Sequence, residues 1–380
     1  SSGGSSRGGG DDGSSKAIAA MSPRAKQELR SGTARVNELL PHVNYIGCAV
    51  DDKEKMIPMV VTVSTRPSFL HDMTYLGVVR TPRHDVAFHI PMAAFRGKDA
   101  KAKAIIKHLK KTNNFFESAR LVPVEEEALA AKFRERLLEF ELSLKYSNYK
   151  VGVIYVKKGQ TNESQFFGNR AEECLPCFRD FLLFLGEEIR LKGWQGYTAD
   201  LDVDNDLSGT HAIHATWKDF NVMLHVSTYL PYSDSDEQQV ARKKYIGNDL
   251  AAVVFLEPGA TFDPTSIASQ FLQCYIVVQP YFRSGDSTPS RWLVGVVHKR
   301  EMPRFGPPLK SKSSLSQFFD QSPYLREWLL TKIVNANRAA LHYPFLARFV
   351  RKTRSGHLDD MLQTFAASNK QRRRLTVAYS

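Results

Sequence analysis

The chain has 380 residues, 42% of them hydrophobic and 24% charged, long enough for two domains of ordinary size and apolar enough to pack cores. A formal net charge of +12 points to an acidic partner, whether nucleic acid, an anionic membrane or an acidic protein surface, and charge alone does not choose among them. No apolar run reaches the ~18–20 residues that cross a bilayer, and the four scattered cysteines, Cys48, Cys174, Cys177 and Cys274, exclude a disulfide framework and point to a reducing, cytoplasmic compartment.

Residues 1–22 begin Ser/Gly-rich without the apolar core of a secretory signal, and read as a disordered linker within a larger protein. Pro23 to Leu40 carries helical spacing, with Ala25, Leu29, Val36 and Leu39 among polar residues. Met59–Ser64, Met73–Arg80 and Asp85–Pro91 are strand-like, Ala100–Leu109 reads as a short basic helix, and Glu125–Leu144 as a longer one with acidic residues in its first turn. Residues 23–145 therefore form an N-terminal α+β domain.

A second domain, 146–310, opens on Tyr149–Val156, a nearly continuous apolar run of the kind buried on both faces in a central strand. Gly159–Asn162 is a loop and Pro176–Ile189 an amphipathic helix. Thr198–Val203, Ile213–Trp217, Val222–Thr228, Leu250–Leu256, Gln273–Gln279 and Arg291–His298 are predicted strands, with Asp236–Gly247 helical between the third and fourth. Alternation of buried strand with helix predicts an α/β sheet. Helical spacing returns over Leu315–Phe365, so residues 311–366 are expected as helices packed on the second domain, and 367–380, with Lys370 and Arg372–Arg374, as a solvated basic tail.

Several constellations read better as structure than as chemistry. Cys174-x-x-Cys177 lacks both the preceding strand of a redox site and a second pair to complete a zinc site. Asp202–Asp206 resembles the start of a calcium loop, but Leu207 and Ile213 stand where Gly and a bidentate Glu are required, leaving a polar turn. His211 and His214, three apart in a strand, point to opposite faces and cannot share a metal; His225 lies in an apolar strand as a core histidine. The chain has no phosphate-binding glycine loop and no hydrolase motif.

In Gln239–Asp249, helical spacing puts Lys244, Tyr245 and Asn248 on one basic, aromatic face. Gly247-Asn248 at a helix end is first of all a C-cap. Asparagine is neither acid nor base, but it accepts and donates hydrogen bonds together, which suits positioning a water.

This segment and its surroundings resemble the catalytic domain of the Rap GTPase-activating protein family. The resemblance is carried in order by Tyr149–Tyr155, Gly159–Thr161, Phe181–Gly186, Leu201-Asp202, Gly209-Thr210, His225–Thr228, Leu230–Tyr232, Ile246–Leu250, Val253–Phe255, Phe305–Leu309 and Leu329–Lys332. It is dense over 147–335, thinner to about 365, and much weaker over the first domain, which resembles the family's dimerisation domain. The resemblance implies a catalytic domain folded like a small GTPase sheet flanked by helices, without a nucleotide site. It also implies that Asn248 is the family's "asparagine thumb", inserted into the GTP-bound form of a Rap-type GTPase to orient the attacking water in place of the glutamine that such GTPases lack. Arg242, Lys243, Lys244, Tyr245, Asp249 and Lys150 are implied as partner-binding. No cofactor of its own is implied, since GTP and magnesium belong to the partner, whose site the chain completes rather than acting as a stand-alone hydrolase. The family usually has His where Tyr245 stands, so a relative such as Rheb or Ral, or a module that binds a GTPase without activating it, is the alternative. Homodimerisation through the first domain and approach to membranes through the partner are further expectations; nucleic acid is not an expected partner.

Overall fold

A computed structural model describes residues 42–50, 55–67, 73–96, 99–143, 146–309 and 316–366. The expected linker 1–22, the helical pattern over Pro23–Leu40 and the basic tail 367–380 lie outside the described residues. The chain divides into two compact units, one of residues 1–145 and 349–380 and one of 146–348.

In the first unit, β1 (His42–Val50), β2 (Met56–Ser64), β3 (Thr74–Arg80), β4 (Asp85–Pro91) and β5 (Arg120–Pro123) form a sheet in the order β4-β3-β2-β1-β5. Every neighbouring pair in it is antiparallel. The pleat sends alternate residues to opposite faces. Tyr45, Val61, Val63 and Tyr75 join α1 (Ala102–Thr112) and Phe116 of the short α2 (Asn114–Glu117) on one face. On the other, Ile46 and Val60 pack with Phe133, Leu137 and Phe140 of α3 (Glu127–Ser143).

In the second unit the sheet has eight strands in the order β13-β12-β11-β10-β6-β9-β8-β7. Its centre, β9-β6-β10-β11, is parallel. The flanks are antiparallel. The strands are β6 (Asn148–Val156), β7 (Glu187–Arg190), β8 (His211–Trp217), β9 (Phe220–Val226), β10 (Ala251–Leu256), β11 (Cys274–Tyr281), β12 (Arg291–His298) and β13 (Ser316–Asp320). All six residues of β10 and the last six of β6 are buried, as expected of parallel strands covered on both faces. One face packs α5 (Pro176–Leu185) and α7 (Pro323–Ala340), through Phe178, Phe181, Leu329 and Ile333 against Val151, Val153 and Phe255. The other packs α4 (Glu163–Phe167), α6 (Val240–Gly247) and the segment around Leu191–Leu201. Each fully buried Val or Ile at this centre contributes roughly 1.5–3 kcal/mol. The mixed α/β class expected from the sequence is the one observed, and no helix among the described residues is long and apolar enough to cross a membrane.

Five expectations need correction. The helix predicted over Pro176–Ile189 stops at Leu185, because the backbone turns extended at Gly186 (φ −154°, ψ −170°) and pairs as β7; glycine is needed there, since a Cβ would lie 2.5 Å from the His214 carbonyl oxygen. Thr198–Val203 is not a strand, since Ala199 and Asp200 adopt φ of 53° and 68° and the Leu201 N–H closes a turn on the Thr198 carbonyl at 3.0 Å. The helix expected from Asp236 begins at Val240, because Gln239 sits at φ 48° with its buried side chain bonded to both the N–H (3.0 Å) and the carbonyl (2.6 Å) of Ser233. Leu315–Phe365 is not wholly helical, for Ser316–Asp320 pairs with β12 before α7 begins. The last helix, α8 (Pro344–Phe365), does not belong wholly with the second unit: from Phe349 onward it is part of the first, where Leu358, Met361 and Phe365 join the core of α3 and Arg354 donates to the Thr81 carbonyl at 2.8 Å.

Candidate functional site

The Gln239–Asp249 segment lies on the second face of the eight-stranded sheet. Helix α6 is anchored there by Ile246, which is fully buried, and by Arg242, 2% exposed. The Arg242 guanidinium donates to four backbone carbonyls: Leu230 (3.1 Å), Pro231 (3.3 Å), Phe167 (2.7 Å) and Asn169 (2.6 Å). Burial lowers its pKa to about 10, still charged at neutral pH. With the side chain 2% exposed and its Nε and Nη1 donors turned to backbone carbonyls, the expectation that it binds a partner is corrected: Arg242 ties the helix to two neighbouring segments.

The helix ends at Gly247, and Asn248 is its C-cap at φ −94° and ψ 0°. This bridge region is sparsely allowed, and residues at active sites often occupy it. The Asn248 backbone N–H bonds the Tyr245 carbonyl at 3.2 Å. Its side chain is exposed, and among the described residues no hydrogen-bond partner holds the carboxamide. The carbonyl just before it, that of Gly247, accepts from Ser269 Oγ at 2.7 Å, and this serine oxygen in turn accepts the N–H groups of Phe271 and Leu272 at 3.0 Å each. Exposed side chain and fixed backbone thus meet in one residue.

Asp249 is buried completely and faces inward, so a direct partner contact by its carboxylate is likewise corrected. Its Oδ2 lies 2.9 Å from Nδ1 of His225, the core histidine of β9, whose Nε2 lies 2.9 Å from the Ala199 carbonyl oxygen. Burial raises the Asp249 pKa, and the neighbouring His225 opposes that rise.

The lysines differ. Lys244 is exposed, with no ion-pair partner among the described residues. Lys243 is half-buried and donates to Glu163 Oε1 at 2.7 Å, while Oε2 of the same glutamate accepts the Ala268 N–H at 3.2 Å. Lys150, on β6, reaches Asp200 Oδ2 at 2.7 Å, and the lysine holds that carboxyl below its usual pKa. Tyr245 is half-buried: its ring meets that of His225 edge-on with centroids 5.6 Å apart, and its hydroxyl lies 2.7 Å from Ser208 Oγ. It therefore shares the outer face with Lys244 and Asn248 only in part.

Other sequence candidates sort simply. Cys174 and Cys177 are free thiols pushed up by burial to about 12 and about 11, which keeps them protonated and unreactive. Asp202 Oδ2 accepts the Asn205 and Leu207 N–H groups at 2.8 and 2.9 Å, making a turn. His211 is exposed and His214 buried, as strand alternation requires. Among the described residues no group of three or more His, Cys, Asp or Glu could hold a metal. Ser208, Ser269, Asp200 and Glu163 escaped sequence reasoning, since each lies 22 to 80 residues from the group it serves and carries no local motif.

A buried anchor, a clamped helix end and an exposed carboxamide beside an exposed lysine present hydrogen-bonding groups at the surface. A sequence model of the Rap/ran-GAP family matches residues 166–355, half of the chain and inclusive of α6 and Asn248. The chain belongs to the Rap/ran-GAP family. Among curated proteins it is 38% identical over 234 residues to mouse signal-induced proliferation-associated 1-like protein 1, covering 61% of this chain and 13% of that protein. It is 38% identical over 213 residues to human signal-induced proliferation-associated protein 1, covering 56% of this chain and 20% of that protein. The solved structure of the TSC2 GAP domain is 28% identical, covering 51% of this chain and 97% of that one, with a TM-score of 0.42.

Proposed function

We propose that this chain is the catalytic part of a GTPase-activating protein for a Rap-type small GTPase, and that Asn248 supplies the side-chain amide that orients the attacking water in the partner's site. The observation carrying this reading is the Asn248 carboxamide: exposed, without a partner of its own among the described residues, and mounted on a helix end whose backbone is bonded on both sides. Membership of the Rap/ran-GAP family supports the partner class. Intrinsic hydrolysis by a small GTPase is slow because the water is poorly oriented and the developing phosphate charge poorly stabilised. A preorganised amide lowers that barrier by positioning, with no proton transferred to or from the activator. Lys244, unpaired and on the same outer face, meets the acidic surface of the partner, with Lys243 and Lys150 beside it at lower exposure.

The test is single-turnover hydrolysis by GTP-loaded Rap, with Ral and Rheb run in parallel. Stimulation of Rap that Asn248→Ala removes supports the reading; a variant as active as the unaltered chain defeats it. Stimulation confined to Ral or Rheb keeps the mechanism and changes the partner.

A further inference from the structure

Immediately behind the exposed carboxamide, the chain buries a carboxyl. Asp249 Oδ1 has no donor among the described residues, so the side chain's hydrogen bonding rests entirely on Oδ2 and the His225 imidazole, 2.9 Å away. The opposite ring nitrogen faces the Ala199 carbonyl, which can only accept, so Nε2 carries a hydrogen. One proton then lies between Nδ1 and Oδ2, as imidazolium with carboxylate or as neutral imidazole with carboxylic acid, and in either form the pair has no net charge. That neutrality makes complete burial of both side chains tolerable.

His225 sits on β9, in the parallel centre of the sheet, where neighbouring strands hold it on both sides. Its two nitrogens reach different elements: Nδ1 reaches the residue after Asn248, and Nε2 the Ala199 carbonyl. The next residue along that loop, Asp200, holds Lys150. The left-handed backbone at Ala199 and Asp200 is what turns the carbonyl inward and the carboxylate toward Lys150. Glycine at position 152 leaves the room, because a Cβ there would lie 2.7 Å from Ile246 Cγ2 and 3.5 Å from Asp249 Oδ2.

We propose that His225 and Asp249 are positioning residues: the imidazole is a brace between the end of α6 and the Ala199–Asp200 loop that holds Lys150, and it fixes where the Asn248 carboxamide stands before a partner arrives. This rests on the reading of Asn248 given above. Neither residue touches the reacting atoms. What they contribute is the absence of rearrangement at the moment of reaction, which counts because misplacement by about 1 Å costs ~100-fold in rate.

The experiment is single-turnover hydrolysis by GTP-loaded Rap over a range of activator concentrations, which gives the maximal rate and the half-saturating concentration separately. Asp249→Ala is expected to lower the maximal rate about thirtyfold or more while moving half-saturation by less than about threefold. Asp249→Asn, whose amide donates to Nδ1 of a neutral His225, is expected to recover about tenfold of that loss. In the Asn248→Ala background, Asp249→Ala should add nothing, since the brace acts only through the asparagine. If Asp249→Ala fails to fold, the paired replacement His225→Phe with Asp249→Leu removes both polar groups at once, leaves neither orphaned, and should give the same loss of maximal rate. Asp249→Ala, or the folded paired variant, with an unchanged maximal rate overturns the proposal, as does an Asp249→Ala loss that multiplies in full with that of Asn248→Ala. Asn248→Ala without effect instead overturns the reading of the thumb itself.

Discussion

The two sides of one short helix have opposite fates in this protein. On the inner side of α6, Arg242, Ile246 and, just past the end, Asp249 are buried, and both polar groups take their partners from inside the fold: the guanidinium from backbone carbonyls and one carboxyl oxygen of Asp249 from an imidazole. On the outer side, Lys244 and Asn248 are exposed, without a side-chain partner among the described residues. A buried polar group must find its partners within the chain, because water cannot reach it. An exposed one keeps its capacity for another molecule. Ten residues of mixed charge therefore divide into a foundation and a working face, and residue type does not tell the two apart.

That division breaks most severely from the inside. Arg242→Met leaves four carbonyls without their donor and should cost about 3–5 kcal/mol of stability, seen as a large drop in the thermal midpoint. Wild-type stability in this variant would mean that the inner face is no foundation. Asn248→Ala should leave the thermal midpoint within the range of a surface change, about 0.5 kcal/mol, and yet reduce stimulated GTP hydrolysis by about 100-fold or more. The contrast between these two variants, one failing in stability and the other in rate, is the sharpest form of the comparison. Lys244→Glu should weaken association with the GTPase by about tenfold, chiefly through a slower on-rate, a difference from the unaltered chain that rising salt narrows, with the maximal rate little changed. Smallest is Tyr245→Phe, which removes the hydroxyl from Ser208 and should cost about 1 kcal/mol in stability by denaturant titration. Tyr245 straddles the two faces, so a rate effect larger than its stability effect would move it to the working side.

Tyr149–Val156 and Leu250–Leu256 were legible as buried strands because parallel strands covered on both faces carry uninterrupted Val, Ile and aromatic runs, and these became β6 and β10. Asp85–Pro91 and Arg291–His298 match their strands end to end. Apart from the nine-residue His42–Val50, the strands that escaped notice were short or polar: Arg120–Pro123, Glu187–Arg190 and Ser316–Asp320 owe their form to a neighbour's edge, and four or five residues hold too little pattern to show it. Thr198–Val203 was misread because alanine and aspartate give no hint of a left-handed backbone, which the contacts of Ala199 with His225 and of Asp200 with Lys150 require. At the site, spacing put Lys244, Tyr245 and Asn248 on one helical face, and two of the three prove exposed.

By itself the sequence determined where the apolar runs lie, hence the central strands, the α/β class and the ordered motifs that mark the Rap/ran-GAP family. These are local properties, readable from neighbours two to four positions apart. Only the tertiary structure decided which charges are internal. Arg242 and Lys244 stand two residues apart with the same sign, and a helix of 3.6 residues per turn sends them to opposite sides, one into carbonyls contributed from 73 to 75 positions upstream and the other into solvent. Such long-range pairing leaves no periodic trace in the chain, so whether a polar side chain is foundation or tool emerges only when the sheet brings its partners beside it.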